Sequence, residues 1–181
     1  RVKVFGKERL DKTKSYIVVA NHNAQIDIVA GVYACPMPAK FLAKAEIRYV
    51  PFFGYMTKML AITVDRKDKD SRGKSFRKML EALKSGDSIF IYPEGTRNRT
   101  KETLKEFKDG AFRLAIMAQV PIAVQTLVGA REVNNPMGVQ LLPGTMEVHW
   151  SEPIETKGMT QDDIPMLKEK VKAEMLKHLE G

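Results

Sequence analysis

The amino-acid sequence predicts a single α/β domain with a largely parallel central sheet and flanking helices. Three observations point there. Short apolar runs, often β-branched, alternate with longer amphipathic segments, the pattern of strands joined by crossover helices. The 181 residues suit one compact unit with one core. No internal repeat, low-complexity tract or long linker divides the chain, so residues 1–181 are expected to form one domain.

The elements follow in order. Ser15–Ala20 (SYIVVA) reads as a buried strand, with a second over Lys40–Ala43. Ala61–Val64, Ser88–Tyr92 and Pro121–Val128 are further strands, and Glu147–Trp150, after Pro143-Gly144, is the last. Between them, Asp27–Ala34, Ala45–Met59, Ser71–Lys84 and Gly110–Gln119 suit helices. Ser71–Lys84 is the clearest: Phe76, Met79, Leu80 and Leu83 recur at helical spacing, and Ser85-Gly86-Asp87 ends it in turn chemistry. A closing helix covers about 162–179, with Ile164, Leu167, Val171, Met175 and Leu179 on one stripe.

Composition bounds the function. Apolar residues make up 44% and charged residues 29%, ordinary for a folded domain and unlike disordered or collagen-like chains. Thirty Lys+Arg against 22 Asp+Glu give +8, which favours anionic partners: nucleic acid, phosphorylated metabolites or acidic lipid. Cys35 is the only cysteine, which excludes an internal disulfide and four-cysteine zinc sites and fits a reducing compartment. His149 and His178 lack partners at ligand spacing, so no structural metal is expected. Arg1–Leu10 shows no apolar core of a signal peptide. The longest uncharged run, Leu114–Ala130, is interrupted by Pro121 and reads as a helix end and a strand rather than a membrane span.

Three loops carry residues suited to chemistry. After the first strand comes Asn21-His22-Asn23-Ala24-Gln25-Ile26-Asp27. A carboxylate five positions beyond an imidazole, across a strand end and a helix start, can fold back onto Nδ1 and leave Nε2 as a base. Three histidines and nine aspartates supply roughly 0.15 such pairs by chance, so spacing alone leaves open a capping Asp27 beside a backbone-bonded histidine. The second loop, Tyr92-Pro93-Glu94-Gly95-Thr96-Arg97, follows a strand, at the edge where α/β sheets bind ligands. Gly95 permits close backbone approach, Thr96 brings a hydroxyl, and Arg97 a planar fork matched to phosphate. Third, Asp65-Arg66 follows another strand, and Arg66 is a second candidate phosphate ligand.

In this order the three loops resemble the glycerolipid acyltransferase family that includes the 1-acylglycerol-3-phosphate acyltransferases. His22 and Asp27 match its histidine–four residues–aspartate motif, Asp65-Arg66 its second block, Tyr92–Arg97 its third and Val120-Pro121-Ile122 its fourth. Lys44-Ala45-Glu46-Ile47, Pro51 and Gly54 resemble an intervening lysine–glutamate segment, which adds Lys44 to the candidate substrate-binding residues. Lys108, Gly110, Leu114 and Ala115 match the next stretch, and the likeness runs from about Ser15 to Val128. Departures are Ala24 for a frequent serine, Leu60 for glycine, Thr63 for phenylalanine and Tyr92 for phenylalanine. None removes a reacting group.

The resemblance implies transfer of a fatty acyl group from acyl-CoA or acyl carrier protein to a lysophospholipid hydroxyl, first of all that of 1-acylglycerol-3-phosphate. His22 would be general base and Asp27 its orienting carboxylate. Arg66, Arg97, Gly95 and Thr96 would hold the acceptor phosphate, with Glu94 organising that loop or a substrate hydroxyl. The acyl thioester is a co-substrate, and no cofactor is implied. Lipid substrates imply an enzyme attached to the cytoplasmic face of an anionic membrane. The run Tyr49–Met56, between Arg48 and Lys58, suits either interfacial insertion or the core. Rival readings are another lyso-lipid acceptor such as a lyso-aminolipid, a hydrolase releasing fatty acid, and a non-catalytic basic binding domain. Nucleic acid is not an expected partner, since no recognition motif or stacking array accompanies the charge.

Overall fold

The computed structural model describes residues 1–46, 61–65, 68–134 and 140–180. Its strands are β1 (Val2–Phe5), β2 (Ile17–Ala20), β3 (Ala39–Lys44), β4 (Ala61–Val64), β5 (Ser88–Ile91), β6 (Ile122–Val128) and β7 (Met146–Trp150). The helices are α1 (Ile26–Ala34), α2 (Lys69–Lys84), α3 (Gly110–Ala118), the short α4 (Ala130–Val133) and α5 (Ile164–Leu179). All strands join one sheet in the order β1-β7-β6-β2-β5-β3-β4. Five neighbours, β6 to β4 in that order, are parallel; β7 runs antiparallel to β6, and β1 parallel to β7. The single α/β domain with a largely parallel sheet is thus the observed architecture.

Strand periodicity decides what each face buries. Ile17, Val19, Ile89, Ile91, Ile122 and Val124 point to one side, beneath α2, α3 and α5. Val18, Ala20, Phe90, Ala123 and Val148 point to the other, beneath α1. With both faces covered, the central strands read as continuous apolar runs rather than alternating ones. β2 is buried at all four positions.

Helix boundaries follow local chemistry. α2 begins at Lys69 because Asp68 caps it, accepting from the backbone N–H of Asp70 and Ser71. α1 ends against Trp150, whose indole N–H donates to the Ala34 carbonyl at 3.2 Å. β1 has no counterpart among the sequence-predicted strands. Its four residues alternate half-buried and exposed, and its partner β7 lies at the far end of the chain, so no local pattern announces the pairing. Of the expected helix Ala45–Met59, residues 47–59 lie outside the described residues, as does the aromatic run Tyr49–Met56. Among the described residues, no helix is long and apolar enough to cross a membrane.

Candidate active site

β2 and β5 are parallel neighbours, with Val19 opposite Ile91. The loops that leave their carboxyl ends therefore emerge side by side. One carries His22 and runs into α1; the other begins at Tyr92. Asn21 extends the β2–β6 pairing by side chain: its amide donates to the Leu127 carbonyl and accepts from the Leu127 N–H, at 2.9 and 2.8 Å. That clamp fixes where His22 leaves the sheet.

Asp27 lies in the first turn of α1 and is fully buried. Its Oδ2 accepts from the Asn23 N–H at 2.6 Å and the Ala24 N–H at 2.7 Å, and sits 3.1 Å from His22 Nδ1. Asp27 does not cap α1, whose N-cap is Gln25; one Asp27 oxygen closes the loop before the helix and also meets the His22 ring. A carboxylate is an acceptor, so in the neutral imidazole Nδ1 carries the proton and Nε2 the lone pair. The His22 side chain is 12% exposed, enough to meet a substrate and too little to turn freely.

Glu94 joins the two loops. Its carboxylate is 2% exposed, with Oε1 accepting from the His22 N–H at 2.8 Å and Oε2 from the Lys105 N–H at 3.1 Å. Burial raises its pKa, while those two bonds and the nearby His22 and Lys105 pull it back. Both oxygens point at backbone donors, the geometry of a loop organiser. Beyond it, Gly95 has φ 75° and donates to the Tyr92 carbonyl at 3.0 Å, a turn that favours glycine. The Asn98 N–H then donates to the His22 carbonyl at 2.6 Å. Residues 95–97 therefore form an arc pinned at both ends to the His22 backbone, with Thr96 exposed and Arg97 half-buried on it.

The structure thus brings His22, Asp27, Glu94, Gly95, Thr96 and Arg97 to one sheet edge. Lys44 ends β3 at that same edge, while Arg66 lies outside the described residues. Among the described residues, no cluster of three or more His, Cys, Asp or Glu forms a metal site.

Two contributors escaped the sequence reading. Asn98, fully buried, shapes the following turn by accepting from Thr100 through its side-chain oxygen, at 3.0 Å from the backbone N–H and 2.7 Å from the hydroxyl, and by donating to the Glu102 carbonyl. Arg131 on α4 donates from one guanidinium nitrogen to Asn23 Oδ1 at 3.2 Å and to the Asn98 and Glu102 carbonyls at 3.4 and 3.5 Å. It ties the His22 loop to the loop after Arg97. An Asn directly after the Glu-Gly-Thr-Arg run was a legible turn signal; nothing local marked Arg131.

The chain is similar in sequence and fold to known proteins. A protein-family model described as Acyltransferase matches residues 1–126. The 1-acyl-sn-glycerol-3-phosphate acyltransferase of Saccharomyces cerevisiae is 34% identical over 178 residues, covering 97% of this chain and 58% of the yeast protein. The alpha form from Mus musculus is 31% identical over 179 residues, covering 97% of this chain and 62% of its own length. The chain thus spans about three-fifths of these curated relatives. The crystal structure of the 1-acyl-sn-glycerophosphate (LPA) acyltransferase PlsC from Thermotoga maritima superposes with a TM-score of 0.84 at 26% identity, over 99% of this chain and 70% of that one. With that match over most of its length and the paired loops at one sheet edge, the chain belongs to the acyltransferase family.

Proposed function

We propose that the chain carries the acyl-transfer site of a 1-acylglycerol-3-phosphate acyltransferase, which moves a fatty acyl group from a thioester to the free hydroxyl of the lysolipid and forms phosphatidic acid. The observation that carries this reading is the His22–Asp27 pair. Nδ1 is held at 3.1 Å from a buried carboxylate, and Nε2 stays available beside an arginine-bearing loop. The acyltransferase family and the names of the yeast and mouse relatives support the same substrates.

His22 Nε2 takes the proton of the lysolipid hydroxyl as its oxygen attacks the thioester carbonyl. Asp27 holds the imidazole in register and offsets the imidazolium charge. The tetrahedral intermediate collapses with loss of the thiolate, which takes the proton from Nε2, so base and acid are the same group and no proton is left over. Binding of the acceptor phosphate falls to Arg97, with the Gly95 and Thr96 loop, and to Arg66; Lys44 lies on the same edge for an anionic part of either substrate. Glu94 sets the loop that presents Arg97. Acyl-CoA and acyl-loaded acyl carrier protein are both thioester donors of the required kind. Phosphatidic acid leaves into an anionic membrane on the cytoplasmic side, where the basic surface holds the enzyme, and the freed thiol leaves into water.

The test offers lysophosphatidate and other lysolipids with acyl-CoA and acyl carrier protein donors to wild type and His22→Ala. A general base contributes about 10²–10⁴-fold. Ester formation on lysophosphatidate should fall by that factor in a variant that melts like wild type. Near-normal turnover in folded His22→Ala, or release of free fatty acid in place of ester, would overturn the reading.

A further inference from the structure

Beneath the His22–Asp27 pair lie three buried oxygens to which the site described above gives no partner. Among the described residues, Asp27 Oδ1, Tyr92 Oη and Gln125 Oε1 have no hydrogen-bond partner. Buried polar atoms left unpaired cost free energy, and native interiors almost always pair them. Two of them face Gly31 and the third is one helical turn earlier, so a common explanation is called for.

Their proximity follows from α1. Gly31 stands four residues after Asp27, on the same helix face. A Cβ added there would lie 3.0 Å from Gln125 Oε1, 3.0 Å from Phe90 Cζ and 3.4 Å from Tyr92 Oη. Glycine at this position lets the helix close onto those groups, at the usual cost of glycine within a helix. Tyr92 also stacks on the His22 ring, with centroids 4.2 Å apart and planes 23° apart. Its ring is therefore anchored by the imidazole, and its hydroxyl lies close enough to feel the Asp27 charge. The Gln125 orientation is fixed as well: its amide nitrogen donates to the Gly31 carbonyl at 3.3 Å, so the oxygen is the end turned to the cluster.

The donor count closes with one molecule. Tyr92 offers one O–H, and the two other atoms are acceptors. A single water placed among them would accept from Tyr92 and donate to Asp27 Oδ1 and Gln125 Oε1, within the two to four polar partners a buried water takes. We propose that Tyr92 and Gln125 are positioning residues that hold the free oxygen of Asp27 through one shared buried water, and so set the orientation and basicity of His22. Burial of the phenol, and then the Asp27 charge, keep its pKa well above the usual tyrosine value, so it stays a donor across the working pH range. Tyr92 stands where phenylalanine is commoner in the family, so its hydroxyl tunes the pair in this chain and is not a requirement of the chemistry.

The proposal rests on His22 and Asp27 acting as base and orienter, and the experiment separates the two ideas. Tyr92→Phe removes one oxygen and keeps the stacked ring. Without the donor, Asp27 carries its charge undiluted towards His22, which stabilises the imidazolium. The acidic limb of the kcat–pH profile should then move up by roughly half a pH unit. At the wild-type optimum the lost hold on Asp27 should misorient His22 and lower kcat roughly 3–10-fold despite the gain in basicity, with KM for both substrates and the melting temperature little changed. Gln125→Met should move the limb the same way, and the double variant should fall short of the product of the two effects. A Tyr92→Phe profile that overlays wild type, or a kcat loss without a moved limb, overturns the positioning role and leaves the base assignment standing. His22→Ala with near-normal turnover overturns the base assignment itself.

Discussion

Replacing Asp27 by asparagine tests the site more sharply than removing it, because the structure fixes how the amide must sit. The oxygen now at the Oδ2 position accepts two backbone N–H bonds, at 2.6 and 2.7 Å. An amide nitrogen there would face two donors. The asparagine oxygen therefore takes that place, the Nδ1–H of His22 still finds an acceptor, and the tautomer is kept. The new NH₂ falls where Oδ1 is now, an atom with no protein partner, so no existing protein hydrogen bond is broken there. In hydrolase triads the same change costs activity by imposing the wrong tautomer; here only the charge is lost. Two unit charges about 4 Å apart interact by about 4 kcal/mol at an effective dielectric of about 20. The retained neutral hydrogen bond returns about 1 kcal/mol. At 1.36 kcal/mol per decade, kcat should fall by roughly two to three orders of magnitude. Stability should stay within about 1 kcal/mol of wild type, whereas Asp27→Ala strands two buried N–H donors and should cost about 2–5 kcal/mol. The assays are phosphatidic acid formation from lysophosphatidate, urea melts, and imidazole nitrogen shifts. Asp27→Asn within tenfold of wild-type kcat would show that the charge is not needed. An Nε2–H tautomer would show that the amide orientation was derived wrongly.

Two further perturbations follow from contacts elsewhere in the structure. Glu94→Ala leaves the His22 and Lys105 N–H groups without their acceptor, so urea melts should show a loss of about 2–5 kcal/mol, and kcat should fall as the loops separate; Glu94→Gln, which keeps one acceptor, should fall between. A variant as stable as wild type would remove Glu94 from its bridging role. On the far side of the molecule, the His178 ring on α5 stacks on His149 at 4.4 Å, and His149 Nε2 lies 3.2 Å from Glu147. Burial first, then the His149, Arg9 and Lys177 charges, lower the His178 pKa below the ordinary 6.5, with Glu174 opposing. The native state thus binds fewer protons than the unfolded state in the window just below pH 6.5, and stability is lost as pH falls through it. Melting temperature should drop more between pH 7.5 and 5.5 in wild type than in His178→Gln; parallel slopes would remove His178 as the cause.

The residue pattern alone was enough for the central architecture. The β-branched runs became β2, β4, β5 and β6, and the amphipathic periods of Ser71–Lys84 and of about 162–179 became α2 and α5, because those signals are local and the sheet buries both faces of its middle strands. The loops at the ends of β2 and β5 were legible for the same reason: a strand, then a polar or glycine-bearing turn rich in titratable groups. β1 was hidden because its four residues take their partner from β7 at the other end of the chain.

The site divides along the same line. That His22 and Asp27 can meet is a property of a five-residue separation, and the sequence determines it. Apart from the local bonds of the Asn23 and Ala24 N–H groups to Asp27, what makes the pair rigid is long-range. Glu94 reaches His22 across 72 residues, Arg131 reaches Asn23 across 108, and Gln125 reaches Gly31 across 94. Those contacts exist because β2 lies between β5 and β6, an order chosen by how all the apolar faces pack at once and written in no single segment. Residue type and spacing determined the chemistry available to this chain; strand order alone decided which side chains hold that chemistry in place.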